Sequence, residues 1–328
     1  MNNNERDYRL DLLRVIAMSM IVLMHSPMPD SAPGFVQAGI SYSTAAGIGL
    51  FLMISGALLL GNNLSTKMFL KRRFSKVLFP TLFWSFFYLG VKCLKSPLQT
   101  KELLTTVFSI PFSAQGHGVL WFMYTLSGLY LLTPILSRWL KDASKREVEL
   151  YLFLWGVTLV YPYLKPILKV DESCSGILYY FAGYVGYFLL GYYLRYHYQF
   201  KKFHVLVAVT IIVLIPTVLY SSHVDFDFYS MLWYRSLPVA LMAFVWYVLI
   251  GQCANKRYAF LENVSRLSFG IYLVHIFVMR SILWKTDAIL ALPGLIQIPV
   301  ITILTLTISF VIIWILSKLP FSKYIVGV

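Results

Sequence analysis

The chain has 328 residues, 59% of them hydrophobic and only 13% charged, and its mean hydropathy is +0.70. A soluble domain is about 25% charged, so this composition excludes a water-surrounded globule and makes lipid the solvent. The formal charge of +14 does not indicate nucleic acid, because the basic residues sit in short clusters between apolar runs, as membrane orientation requires.

A membrane helix needs about 20 mainly apolar residues. By that measure the sequence predicts about ten spans, at roughly 10–28, 43–61, 77–94, 117–136, 149–165, 176–194, 204–220, 232–250, 267–284 and 294–317. The first follows Arg6 and Arg9 and precedes Asp30-Ser31-Ala32-Pro33, which resembles a signal peptide; Arg14 interrupts the apolar stretch, and the run reads as a retained first helix. The fifth is the shortest and is bounded by Pro162 and Pro166. Placing the N terminus in the cytoplasm puts about 20 of the 28 Lys and Arg residues on inner segments, while Asp and Glu divide evenly. An even number of spans returns the C terminus to the same side. The expectation is an all-α, polytopic transmembrane helix bundle, N-in and C-in, forming a single domain over residues 1–328. Strands are not expected, since the runs are continuously apolar and too long for barrel segments. Cys93, Cys174 and Cys253 have no metal-ligand spacing, and an odd count gives no disulfide framework. A bridge between Cys93 and Cys174, both near the outer side, stays open.

The strongest chemical signal lies in the first span. Arg14 and His25 are eleven residues apart, almost three whole turns, so they share one face about 16 Å apart along the axis. Ionisable residues inside a span are costly and usually functional. A desolvated imidazole can accept a proton, whereas arginine keeps its charge. The structural alternative is that Arg14 snorkels to the inner surface and His25 caps the outer end. Asp11 precedes Arg14 by one turn and can pair with it.

Five motifs in order resemble membrane acyltransferase family 3, whose members acylate surface polysaccharides, lipopolysaccharide and related glycans. Asp11-Leu-Leu-Arg14 with His25 resembles the family's opening. Gly49-Leu-Phe-Leu-Met-Ile-Ser55-Gly56 is similar to its second-helix run, and Phe69-Leu-Lys-Arg72-Arg73-Phe-Ser-Lys76-Val-Leu-Phe-Pro80 to its basic inner loop. Leu120-Trp121-Phe122-Met123-Tyr124 and Ser268-Phe-Gly-Ile-Tyr272-Leu-Val-His275 complete the series, which runs from about residue 9 to 280. There are two departures. Lys76 stands where the family often has arginine. Members nearest the enterobacterial antigen O-acetyltransferases have histidine at the position of Val119, whereas here His117 lies two residues further back.

The resemblance implies an O-acyltransferase of the cell (inner) membrane, with acetyl-CoA as donor and no metal. The acceptor would be a hydroxyl of a cell-envelope polysaccharide or lipid-linked glycan. His25 would be the general base or a transient acyl carrier, and Arg14 would orient the donor or stabilise negative charge. Arg72, Arg73 and Lys76 would hold donor phosphates, against the plainer reading of positive-inside anchoring. Gly47, Gly49, Ser55 and Gly56 are small enough for close helix approach, and Ser55 could also line a path. Ser268, Tyr272 and His275 fall at i, i+4 and i+7 on one stripe, as path lining or interhelical hydrogen bonding. Trp121 and Tyr124 would line a cavity, stack on sugar or pack in the core. His197, His204 and His223 lie in or near loops with nothing to tie them to a site. The expected partners are acyl-CoA, the glycan acceptor and the lipid bilayer, with no nucleic acid. The rival reading is a transporter or flippase for a glycan or its lipid carrier, although no repeat or paired broken helix supports it; a third is a sensory or assembly subunit.

Overall fold

A computed structural model describes residues 7–29, 31–61, 65–114, 118–169, 176–197, 234–253 and 256–328, with 206–207, 209–211 and 213–214. Among the described residues every regular element is a helix. The principal helices are α1 (Tyr8–His25), α2 (Gly34–Leu59), α3 (Thr66–Phe74), α4 (Leu78–Lys95), α5 (Thr100–Ser109), α6 (Trp121–Asp142), α7 (Lys145–Thr158), α8 (Tyr161–Leu168), α9 (Val185–Tyr196), α10 (Leu237–Cys253), α11 (Ala259–Ser281) and α12 (Gly294–Leu316).

Five helical stretches are long and apolar enough to cross a membrane: Gly34–Leu59, Thr66–Lys95, Gly118–Asp142, Ala259–Lys285 and Gly294–Leu316. α12 is apolar all round, and Leu295, Ile303, Val311, Trp314 and Ile315 on it are exposed, as a lipid-facing helix requires. The chain is therefore a multi-pass membrane helix bundle. α1 carries three charges, Arg9, Asp11 and Arg14. α1 packs against α2 and α11, with α10 and α12 beside it; this buries Asp11 and half-buries Arg14, while Arg9, at the start of the helix, stays partly exposed and pairs with Asp7 at 3.2 Å.

Local chemistry sets the helix ends. Asp7 caps α1 by accepting the Arg9 N–H at 3.1 Å, and Ser144 with Glu147 forms a reciprocal capping box on α7. The expected fifth span is two helices, α7 and α8. Pro162 has no N–H to continue the ladder, and the chain turns at Leu159 and Val160. The expected sixth span shortens to the 12 residues of α9. Gly183 adopts a φ of +101°, a conformation suited to glycine, and its carbonyl accepts the Trp155 indole N–H at 2.9 Å. The short α5, with no buried residue, was not expected as an element of its own. Most of the expected seventh span, with His204, His223 and His117, lies outside the described residues. Cys93 is a free thiol, and Cys174 also lies outside them.

The centre of the bundle is built on contacts between backbones. A Cβ on Gly56 would stand 1.8 Å from the Phe188 carbonyl oxygen, and one on Gly191 would stand 1.9 Å from that of Met53. α2 and α9 thus touch backbone to backbone at reciprocal glycines. Gly47 lies similarly against Ala17 of α1, and Gly49 against Tyr187 of α9. The small residues of α2 serve close helix approach. Gly56→Ala is expected to lower the thermal unfolding midpoint in detergent by several degrees, through about 1–3 kcal/mol of overpacking. Gly90→Ala on α4, where a Cβ meets nothing, should leave the midpoint unchanged or raise it. Equal midpoints for the two variants would show that the α2–α9 contact is dispensable.

Candidate active site

α1 and α11 run side by side in the same direction, and two polar stations join them. At the first, the Ser265 hydroxyl donates to Asp11 Oδ1 at 2.6 Å and accepts from Arg14 Nη1 at 3.4 Å. One hydroxyl thus links a carboxylate that is 4% exposed to a guanidinium one turn along the same helix. Such partnering is what keeps ionised groups tolerable inside a bundle. The expected proximity of Asp11 and Arg14 is present, with Ser265 as the bridge between them.

The second station lies eleven residues further along α1 and ten along α11. His25 faces His275, with ring centroids 5.5 Å apart. His275 is completely buried. Its Nδ1 lies 2.5 Å from the Tyr272 carbonyl oxygen. A carbonyl can only accept, so Nδ1 carries the proton and Nε2 the lone pair. That Nε2 is buried and has no hydrogen-bond partner among the described residues. A second basic nitrogen therefore lies beside His25. Ser26, the next residue, shares a 2.7 Å hydrogen bond with Thr302 of α12, which fixes this end of α1.

The stripe on α11 divides in use. The Ser268 hydroxyl donates to the Ser265 carbonyl of its own helix at 2.7 Å. The Tyr272 hydroxyl donates to the Val119 carbonyl, tying α11 to the entry of α6 beside the histidine pair. Trp121 and Tyr124 also separate. Trp121 stacks on Tyr234 at 5.5 Å and lies 5.6 Å from Tyr184. The Tyr234 hydroxyl donates to Met24 Sδ at 3.6 Å, which brings this aromatic group next to His25. Tyr124 instead donates to the Ile110 carbonyl at 2.6 Å and meets the Ser85 hydroxyl at 3.2 Å. It joins α4 and α6 outside the Trp121 group.

At the opposite end, the Tyr130 ring meets Phe69 edge-on at 6.5 Å, with Ser55, Arg14 and Arg73 in its neighbourhood. Of the three predicted phosphate ligands, only Arg73 is drawn towards the bundle, with its guanidinium 5.9 Å from the Phe69 ring centre. Arg72 and Lys76 are exposed. His197 packs against Tyr192 and Tyr193 and takes no part in either station.

Sequence reasoning missed Ser265, Tyr130 and Tyr234. Ser265 lies three residues before Ser268 on the recognised stripe, and that spacing was the available signal. Nothing in the sequence joins Tyr130 to Phe69 or Tyr234 to Met24, because those pairs are made by packing.

No curated protein and no solved structure matches the chain. One family model, described as an acyltransferase domain, matches residues 7–314. That span takes in both stations and all but the last few residues of α12, and the chain belongs to membrane acyltransferase family 3.

Proposed function

We propose that this membrane acyltransferase moves an acyl group, in our reading acetyl, from cytosolic acyl-CoA to a hydroxyl of a cell-envelope polysaccharide or lipid-linked glycan. The observation that carries the proposal is the pair of stations on one helix couple: a cationic one at Arg14 and a basic imidazole pair at His25 and His275. With the N terminus in the cytoplasm, Arg14 lies near the inner face of the inner membrane and His25 near the outer. The donor is cytosolic and the acceptor external, so the thioester arm enters between the helices and its reactive end meets the acceptor near His25. A buried path is easier than exporting a charged thioester.

In this scheme His25 accepts the proton of the acceptor hydroxyl as its oxygen attacks the thioester carbonyl. The C–S bond breaks, and the thiolate leaves with a proton as free CoA. Because Arg14 and His25 are about 16 Å apart, Arg14 cannot touch the reacting carbonyl; it orients the donor arm at the inner end. His275, held by the Tyr272 carbonyl, positions His25 and offers a neighbouring acceptor for its N–H. Trp121 and Tyr184, partly exposed and backed by the buried Tyr234 next to Met24, form an aromatic surface suited to the apolar face of a sugar.

Transfer of labelled acetyl from acetyl-CoA to total glycan in membranes carrying the wild type, His25→Ala or Arg14→Ala tests the assignment. Loss of the base is expected to reduce label at least about 100-fold. Arg14→Ala should act mainly by raising the KM for acetyl-CoA, by about tenfold. Equal label from all three proteins would remove His25 from the chemistry. The crossing is tested separately with glycan sealed inside vesicles and acetyl-CoA added only on the cytosolic side of the protein. Labelled glycan is expected, and its absence while acceptor added on the donor side is labelled would refute the crossing.

A further inference from the structure

A second feature lies at the inner end of the bundle, between α3 and the C-terminal half of α6. A small cleft there, of about 60 Å³, is lined among others by Thr66, Phe69, Ser137, Arg138 and Lys141. Pro134, Ser137, Arg138 and Lys141 recur at helical spacing, which places them on one face of α6. Arg138 is anchored across the cleft by donating from Nη2 to Thr66 Oγ1 at 3.4 Å. No acidic side chain lines the cleft among the described residues; Asp142, next to Lys141, is not part of the lining. Neither Arg72 nor Lys76 lines it either.

Ser137 makes the cleft more than a basic patch. It is only 6% exposed, and its hydroxyl has no partner among the described residues. Its neighbour Thr133 satisfies its own hydroxyl by donating to the Leu129 carbonyl at 2.8 Å, the usual solution for a hydroxyl in a membrane helix. An unsatisfied buried hydroxyl is costly and is expected where a ligand oxygen completes it. The cleft also connects inward. Phe69 in its wall meets Tyr130 edge-on at 6.5 Å, and Tyr130 has Arg14 in its neighbourhood.

We propose that this cleft holds the phosphate-bearing nucleotide end of the thioester donor, with Arg138 and Lys141 as its cationic contacts and Ser137 as a buried hydrogen-bond donor. The assignment rests on the acyl-CoA reading above and adds a seat for the donor on α6. Phosphate monoesters and diphosphates are recognised by such paired cations and a hydroxyl. From this seat the pantetheine arm would pass Phe69 and Tyr130 towards Arg14. The same chemistry could be supplied by an anionic lipid headgroup, and the lipid composition used in the test separates the two sources.

The test uses purified full-length protein in discs of phosphatidylcholine alone and measures binding of labelled CoA, with adenosine 3′,5′-bisphosphate as competitor. Arg138→Gln with Lys141→Gln is expected to weaken CoA binding at least about tenfold, and Ser137→Ala, which leaves the charges in place, about threefold. The bisphosphate should compete in the wild type. In the double variant, the preference of transfer for acetyl-CoA over S-acetylpantetheine, as the ratio of KM values, should fall towards one. Wild-type affinity in both variants would overturn the proposal. So would a weakening that appears only when phosphatidylglycerol is added to the discs, which would make the cleft a lipid site. Specific CoA binding without any acetyl transfer by the wild type would leave the cleft standing and overturn the acyltransfer reading instead.

Discussion

The structure depends on keeping ionisable side chains inside a helix bundle whose solvent is lipid. α1 carries Asp11, Arg14 and His25 along its length, and a lone span with that content would be poorly stable in hydrocarbon. Ser265 resolves the first part by joining Asp11 to Arg14 through one hydroxyl. His275 resolves the second by placing a buried imidazole beside His25. Both partners come from α11, so the polar content of α1 dictates that these two helices lie together and in parallel. α2, α10, α12 and α4 pack on that couple.

The covering layer is fitted at the level of backbone. α2 packs on α1 at Gly47 and on α9 at Gly56, where Gly191 of α9 receives α2 in return. Without a hydrophobic force between spans, such close approach supplies the association energy through dispersion and shape. It also fixes α1, along which the two polar stations lie at separate points. A site built on helices fixed in this way keeps its geometry better than one built on loops.

The division of labour along α1 follows from its length. Eleven residues of helix place the cation and the base about 16 Å apart, too far to act on one atom and suitable for two parts of a long substrate. A donor with a charged nucleotide end and an extended arm has that shape. The basic residues of α3, together with Arg138 and Lys141 of α6, lie at the same end as Arg14, whereas the aromatic group around Trp121 lies at the end of His25. The two ends of the bundle thus differ in chemistry, and the proposed transfer between a donor and an acceptor on opposite sides is built on that difference.

Much of this was legible in the sequence because the signals are local. Hydropathy marked membrane helices, since a run must span the bilayer by itself. The Arg14–His25 spacing marked one face of α1, since helical periodicity is set by the backbone. The order of five motifs carried the family, which the match over residues 7–314 bears out. The boundaries of α7, α8 and α9 were not legible, because the Gly183 turn is held by the Trp155 indole from another helix. Nor was the separation of Trp121 from Tyr124, three residues apart yet turned to different neighbours. Ser265 as a bridge and the cleft on α6 depend on side chains more than 70 positions apart in the chain meeting in space. What the sequence determined by itself was the solvent, the helical class, the family and the face of α1 that carries Arg14 and His25, because each is written in composition or in spacing along one helix. Which groups complete that face was decided only by the tertiary structure, because a buried charge takes its partner from whichever helix the packing brings within hydrogen-bond reach.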